Sequence, residues 1–247
     1  MEHSINEAIV LEEVAQIRRN NPFMGGKKLY HCLQGQLCSW GIKMGRDKFF
    51  GLLSQQGLLV KKRRKYVSTT DSYHRFHTYK NQLKGMELTS AHQGWVGDIT
   101  YVRVDSSFMY LFLLTDAFSR KIVGWHLSDS LAIEGALSAL KKAIKQCPEV
   151  EGLIHHSDRG IQYCSNAYTT LLKKHKIRIS MTEENHCYEN AKAERVNGIL
   201  KGEYGLDSTF NRTNIHAAVQ QAIKSYNTER PHWGLKLATP QMIHSAA

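Results

Sequence analysis

Trp95-Val96-Gly97-Asp98-Ile99-Thr100-Tyr101-Val102-Arg103-Val104 is the stretch on which the fold turns. Its aromatic and β-branched residues favour an extended chain. A period of two puts Asp98, Val102 and Val104 on one face. A carboxylate among apolar face-mates is costly to bury unless a cation, a hydrogen-bond network or a metal answers it. Taken alone, Asp98 is better explained as a satisfied core aspartate or a strand-end aspartate facing water. Two further β-rich runs, 108–115 and 121–127, follow across turns at 105–107 and 116–120, which predicts an antiparallel meander. Asp105 and Asp116 lie in those turns, where aspartate commonly bonds its own backbone. Helical spacing is expected over 132–146 and 167–175, with short strands at 153–156 and 177–180 and two closing helices at 189–204 and 214–228. Strands in a run, then strands alternating with helices, predict a mixed α/β sheet covered by helices.

Upstream of this stretch the chain changes character. Ile9, Val10, Val14 and Ile17 recur at helical spacing over 7–20, and Pro22 with Gly25-Gly26 ends the pattern. A second helix is expected over 27–37 and a third over 47–56, where Phe49, Phe50, Leu52 and Leu53 run up to Gly57. Helix, short glycine-containing turn and helix is a helix-turn-helix outline, and a plain helical bundle fits the spacing as well. The run Lys61-Lys62-Arg63-Arg64-Lys65 tips the balance toward DNA, because five adjacent cations repel one another unless solvated or matched by phosphates. Residues 1–65 are therefore expected to be a helical DNA-binding domain, 66–93 a polar linker and 94–247 the larger domain.

The 247 residues carry a formal net charge of +11, of which +8 precedes Gly94. That field favours a polyanionic partner, nucleic acid by default. No apolar run approaches the ~20 residues a membrane helix needs, and the acidic start does not resemble a secretory signal; the expected location is the cytoplasm. Five dispersed cysteines without a Cys-x-x-Cys pair argue against a disulfide framework or a zinc ribbon.

His155-His156-Ser157-Asp158-Arg159-Gly160 follows a short apolar strand, so Asp158 falls just beyond a strand's C-terminal end, where open α/β sheets carry their sites. A polar strand-to-helix loop explains the same residues. A serine-hydrolase triad does not, since three consecutive residues cannot converge on one another. Glu194 shares a polar helical stripe with Asn190, Asn197 and Lys201. That stripe reads either as a solvated face or as a helix laying Glu194 against the sheet.

Four ordered segments resemble the orfB-type insertion-sequence transposases, whose core is that of retroviral integrases. They are Trp95 through Tyr101; His156-Ser157-Asp158-Arg159-Gly160-Ile161-Gln162-Tyr163-Cys164-Ser165; Glu189-Asn190-Ala191-Lys192-Ala193-Glu194-Arg195-Val196-Asn197-Gly198-Ile199-Leu200-Lys201; and Tyr226-Asn227-Thr228-Glu229-Arg230-Pro231-His232. Thirty-five residues separate Asp158 from Glu194, the interval this family shares with those integrases, and Lys201 holds the basic position seven beyond the glutamate. Glu189 is the rival third acid, and it misses the interval. The resemblance implies a ribonuclease-H-like five-stranded mixed sheet and a catalytic set of Asp98, Asp158 and Glu194. Oxygen-only ligands suit two Mg²⁺ or Mn²⁺ ions. It further implies Asp98 as the bridging ligand and Lys201 on terminal DNA phosphates. Arg159, Asn190, Asn197 and the cations at 61–65 are the other expected DNA contacts. The implied partners are double-stranded DNA, both element ends and target, further copies of the chain on that DNA, and an upstream-frame product as fusion or partner. A ribonuclease-H-like nuclease and a catalytically idle DNA-binding regulator are the competing functions.

Overall fold

The computed structural model describes residues 2–60, 76–147, 149–183 and 191–246, so the basic run 61–65, Glu189 and Asn190 lie outside the described residues. Packing divides the chain into two units, Met1–Tyr66 with Gly202–Gly205, and Val67–Lys201 with Leu206–Ala247.

The first unit holds α1 (Glu2–Asn20), α2 (Gly26–Ser39) and α3 (Arg46–Gln55). Each buries one apolar stripe in a shared core: Val10 and Val14 from α1, Leu29, Leu33 and Leu37 from α2, Phe49, Leu52 and Leu53 from α3. Gly41 (φ +67°) and Gly57 (φ +66°) take the left-handed backbone just past the ends of α2 and α3. The opposite side of α3 leaves Arg46, Asp47, Lys48, Gly51, Ser54 and Gln55 exposed. Within the same unit the Lys28 ammonium pairs with Glu203 at 3.0 Å and the Tyr204 hydroxyl donates to Asn21 Oδ1 at 2.8 Å. The three expected helices are present, each within a turn or so of its expected bounds.

The second unit is a five-stranded sheet. Its elements run β1 (Gly94–Val104), β2 (Ser107–Asp116), β3 (Ile122–Ser128), α4 (Ile133–Gln146), β4 (Ile154–Ser157), α5 (Ile161–Cys164), α6 (Asn166–Lys174), β5 (Arg178–Met181), α7 (Ala191–Tyr204), α8 (Ile215–Thr228) and α9 (Pro240–Ser245). The strand order is β3-β2-β1-β4-β5, with the meander antiparallel and β4 and β5 parallel to β1. Trp95, Phe112 and Leu114 pack with Ala136, Leu140 and Ala143 of α4 and with Tyr168 and Leu172 of α6. α4 can lie this close because Gly124 faces it; a Cβ there would meet the Ala139 carbonyl and the Ala143 side chain.

Two features of β1 position the site. β4 pairs with β1 only at residues 94–96, in the register Val96↔His156. At the far end an isolated bridge joins Val104 to Phe210. Between them this edge of β1 carries no strand among the described residues.

The segment expected to be a linker, 66–93, is described from Phe76 onward and there it is packed. Gln82 donates through its backbone to Ser180 Oγ (2.8 Å) and through its amide to the Ile179 carbonyl (2.8 Å), Tyr79 packs on the sheet core, and Leu83 and Leu88 lie against Val96 and Ala117. Its apolar residues are too sparse to show a period, yet Tyr79, Leu83 and Leu88 all find a place, while Phe76 and Met86 stay exposed. α9 was also missed. It is short, but Thr239 caps it by accepting from the Met242 backbone N–H at 3.2 Å, and proline opens it.

Candidate active site

The parallel register decides where the two aspartates fall. Val96 faces His156, so the residues two further on, Asp98 and Asp158, leave the paired region side by side at the C-terminal end of β4. Asp98 is partly covered. Its Oδ1 accepts from the Ile99 backbone N–H at 2.9 Å and its Oδ2 from the Asn197 amide at 2.6 Å. Burial, with the nearby Asp158 carboxylate and more weakly Glu194, pushes the Asp98 carboxyl up to about 7, against the pull of those two hydrogen bonds. Asp158 turns back on its own loop, where Oδ1 accepts from Gly160 N–H at 2.9 Å. Gly160 leaves room for this: a Cβ there would meet that oxygen at 2.9 Å.

α7 supplies the third side of the site. Ala193 packs with Val96 and Ala117, which lays the helix beside Asp98 and brings Asn197 to it. Glu194 is exposed and acts on Asp98 electrostatically. Lys201, one turn beyond Asn197, places its ammonium 3.9 Å from the centre of the Tyr101 ring. The structure thus brings Asp98 and Asp158 together and sets Glu194 within electrostatic reach. Among the described residues no three His, Cys, Asp or Glu side chains converge tightly enough to hold an ion as they stand. The donor chemistry nevertheless fits a divalent cation, since two repelling carboxylates beside the C-terminal end of β4, one of them shifted to about 7, are what a hard cation relieves.

Behind the aspartates lies a buried pair, His155 from the expected short strand and Tyr168 from α6, the second of which the sequence does not single out. The Tyr168 hydroxyl and His155 Nε2 are 2.9 Å apart, and burial lowers the His155 pKa to about 3. Gly97 permits this closeness, because a Cβ would meet His155 Nε2 and the Tyr163 ring at 3.2 Å. One step along the strand from Gly97, Asp98 inherits that fixed backbone.

Comparison with known proteins places the chain in a family. Integrase core domain models match residues 89–187 and 175–240. The insertion element IS600 31 kDa protein of Shigella sonnei is 33% identical over 239 residues, 95% of this chain and 86% of that protein. The transposase InsF for insertion sequence IS3A of Escherichia coli (strain K12) is 33% identical over 186 residues, 73% of this chain and 64% of that protein. This chain belongs to the insertion-sequence transposases with an integrase core.

Solved structures agree on the fold. The HTLV-2 integrase catalytic core domain in complex with magnesium superposes with a TM-score of 0.51 at 21% identity, covering 63% of this chain and 97% of that one. The simian T-cell lymphotropic virus intasome in complex with a PP2A regulatory subunit gives 0.54 at 19%, covering 89% and 74%. The mixed five-stranded sheet is the ribonuclease-H-like sheet expected.

Two of the expected DNA contacts, Asn197 and Arg159, make bonds within the protein. Asn197 is buried and spends its amide on Asp98. Arg159 Nε donates to the Thr182 carbonyl at 2.8 Å. The Tyr226–His232 motif is structural: the Tyr226 hydroxyl donates to the Arg120 carbonyl, and the buried Asn227 amide both donates to and accepts from the Ile122 backbone, at 3.0 and 2.9 Å. No helix among the described residues is long and apolar enough to cross a membrane.

Proposed function

We propose that this chain cuts and joins DNA strands at the ends of an insertion element by metal-dependent in-line phosphoryl transfer, with Asp98, Asp158 and Glu194 as the metal ligands. The observation that carries the reading is the register-matched pair Asp98 and Asp158 beside a helix bearing Asn197, Glu194 and Lys201. Two Mg²⁺ or Mn²⁺ ions held there would supply Lewis-acid activation of a water or 3′-hydroxyl and stabilisation of the leaving oxygen.

The chain's own residues do the rest. The Ile99 N–H and the Asn197 amide each fix one oxygen of Asp98, so its carboxylate is oriented before any substrate arrives. Gly160 N–H does the same for Asp158. Glu194, exposed on α7, completes the ligand set by a side-chain movement toward the pair. Lys201 offers a cation to a DNA phosphate beside the reacting one. The exposed face of α3 and the basic run 61–65 hold the duplex. The relatives that carry the transposase name are longer than the part this chain matches, which spans 64% of InsF.

The test uses DNA carrying the ends of the chain's own element, with the chain joined to its upstream-frame segment. Asp98→Ala, Asp158→Ala and Glu194→Ala should each cut Mg²⁺-dependent nicking and joining by on the order of 10³ or more, because residues that act as one unit fail together. Duplex binding should survive all three. Strand joining that persists in Glu194→Ala and vanishes in Glu189→Ala reassigns the third ligand; joining by all three variants removes the mechanism.

A further inference from the structure

The ammonium of Lys201 does not rest on a carboxylate. It lies 3.9 Å from the centre of the Tyr101 ring, although Asp207 and Asp98 are both within electrostatic reach. The route is the open edge of β1. Pairing with β4 stops at Val96 and the Phe210 bridge comes only at Val104, so α7 side chains pass between. Asn197 takes the first place, on Asp98, and Lys201 the second, on Tyr101. Four residues of helix advance ~6 Å, whereas the three strand residues from Asp98 to Tyr101 advance ~10 Å. The four-carbon stem of lysine spans the difference.

Tyr101 is itself held. The exposed Phe108 meets it edge to face, with ring centroids 5.3 Å apart at 85°. Phe108 is paired in register with Arg103 across the β1–β2 hairpin. A ring face attracts a cation through its quadrupole without neutralising it. The contact also leaves the N–H donors of the ammonium available. A carboxylate partner would consume both charge and donors.

We propose that Tyr101 is a positioning residue, which holds the Lys201 ammonium at the open edge of β1 so that a DNA backbone phosphate meets a cation already in place. The inference rests on the proposed strand-transfer function and adds to it a residue outside the carboxylate set. Lysine brings a flexible stem, and the ordering of such a side chain is a cost of binding. Tyr101 meets that cost before the DNA arrives, and Phe108 keeps the ring from turning away.

Duplex affinity of the full chain, measured with a fluorescent duplex of arbitrary sequence across a salt series in Mg²⁺, tests it. Lys201→Ala should weaken binding and flatten the salt slope by about 1. Tyr101→Leu should weaken binding by about two- to tenfold, the range for ordering one long side chain. Tyr101→Phe, which keeps the ring, should restore the affinity. Phenylalanines of increasing fluorination at position 101 should bind progressively worse, in step with the loss of the ring's negative face, and should have no effect in the Lys201→Ala background. That series preserves shape, so it separates the cation contact from a general packing defect. Equal losses from Tyr101→Leu with and without Lys201, or indifference to fluorination, overturn the positioning role while leaving the function standing. A parent chain that binds no duplex overturns the function, and this inference with it.

Discussion

Burial moves His155 and Asp98 in opposite directions, because desolvation disfavours whichever form is charged. His155 is held neutral, with its pKa lowered to about 3 from an ordinary 6.5. An unfolded chain therefore takes up a proton as the pH falls through 6.5, and the folded chain does not until about 3. Stability present above that window is lost on descending through it, by about 3 kcal/mol near pH 4. His155→Gln keeps a partner for the Tyr168 hydroxyl and has no such proton. The gap between the two proteins in urea-derived unfolding free energy should change by that amount between about pH 7 and pH 4. Parallel curves would mean that His155 is solvated or charged in the fold. Asp98 contributes with the opposite sign and cancels in this difference. At this scale Asp98 and Asp158 are conspicuous in the sequence, one on an apolar strand face and the other at a strand's end, although each alone also fits an ordinary core or loop aspartate. It did not show that Asn197 serves Asp98: a polar residue on a polar stripe looks solvated until the packing of Ala193 on Val96 sets which side of the helix meets the sheet.

At the scale of elements, what was legible followed from period and length. β1 and β2 alternate or run apolar for seven residues or more, β3 is rich in strand-forming residues just after a turn, and α4 carries a broad apolar stripe, so the expected bounds of each lie close to the observed ones. The four-residue α5 and six-residue α9 complete too few turns to show a period. The segment preceding β1 reads as a polar linker because its few apolar residues obey no repeat, and within it Leu83 and Leu88 cover Val96 and Ala117. The closing motif shows how a family signature can be scaffold. β3 is an edge strand whose register to β2 shifts between Leu114 and Thr115, next to Ile122. Asn227 substitutes there for a neighbouring strand by bonding both backbone groups of Ile122. Asn227→Ala should therefore cost about 2 to 4 kcal/mol, since it leaves two buried backbone groups without their partner. Calorimetric melting reads the loss, and amide exchange at Ile122 should accelerate more than at Leu113 in the middle of β2. A loss confined to DNA binding, with melting unchanged, would contradict the scaffold role.

For the whole molecule the governing quantity is charge: +11 in total, with +8 carried before Gly94 and only +3 in the part that holds Asp98 and Asp158. A protein that must bring a polyanion onto a carboxylate site needs its attraction to come from elsewhere on the chain. The long-range field of the N-terminal cations fits that need. Binding and chemistry should then separate in experiment. Replacing Lys61, Lys62, Arg63, Arg64 and Lys65 together with alanine should weaken binding to every duplex alike and flatten the dependence of log affinity on log salt by up to about 4, if most of the five cations displace a counterion. Removing the exposed cations Arg46 and Lys48 from α3 should act in the same direction by up to about 2. Asp98→Asn should do the reverse, raising duplex affinity in the absence of divalent ions by removing a like charge from the path of the strand, while abolishing joining. A basic-run variant with an unchanged salt slope would make those five residues a solvated tether and move the burden of affinity onto α3 and Lys201. The two classes of variant predict opposite changes in affinity from one titration series, so a single set of binding curves decides whether attraction and catalysis are divided along the chain in this way.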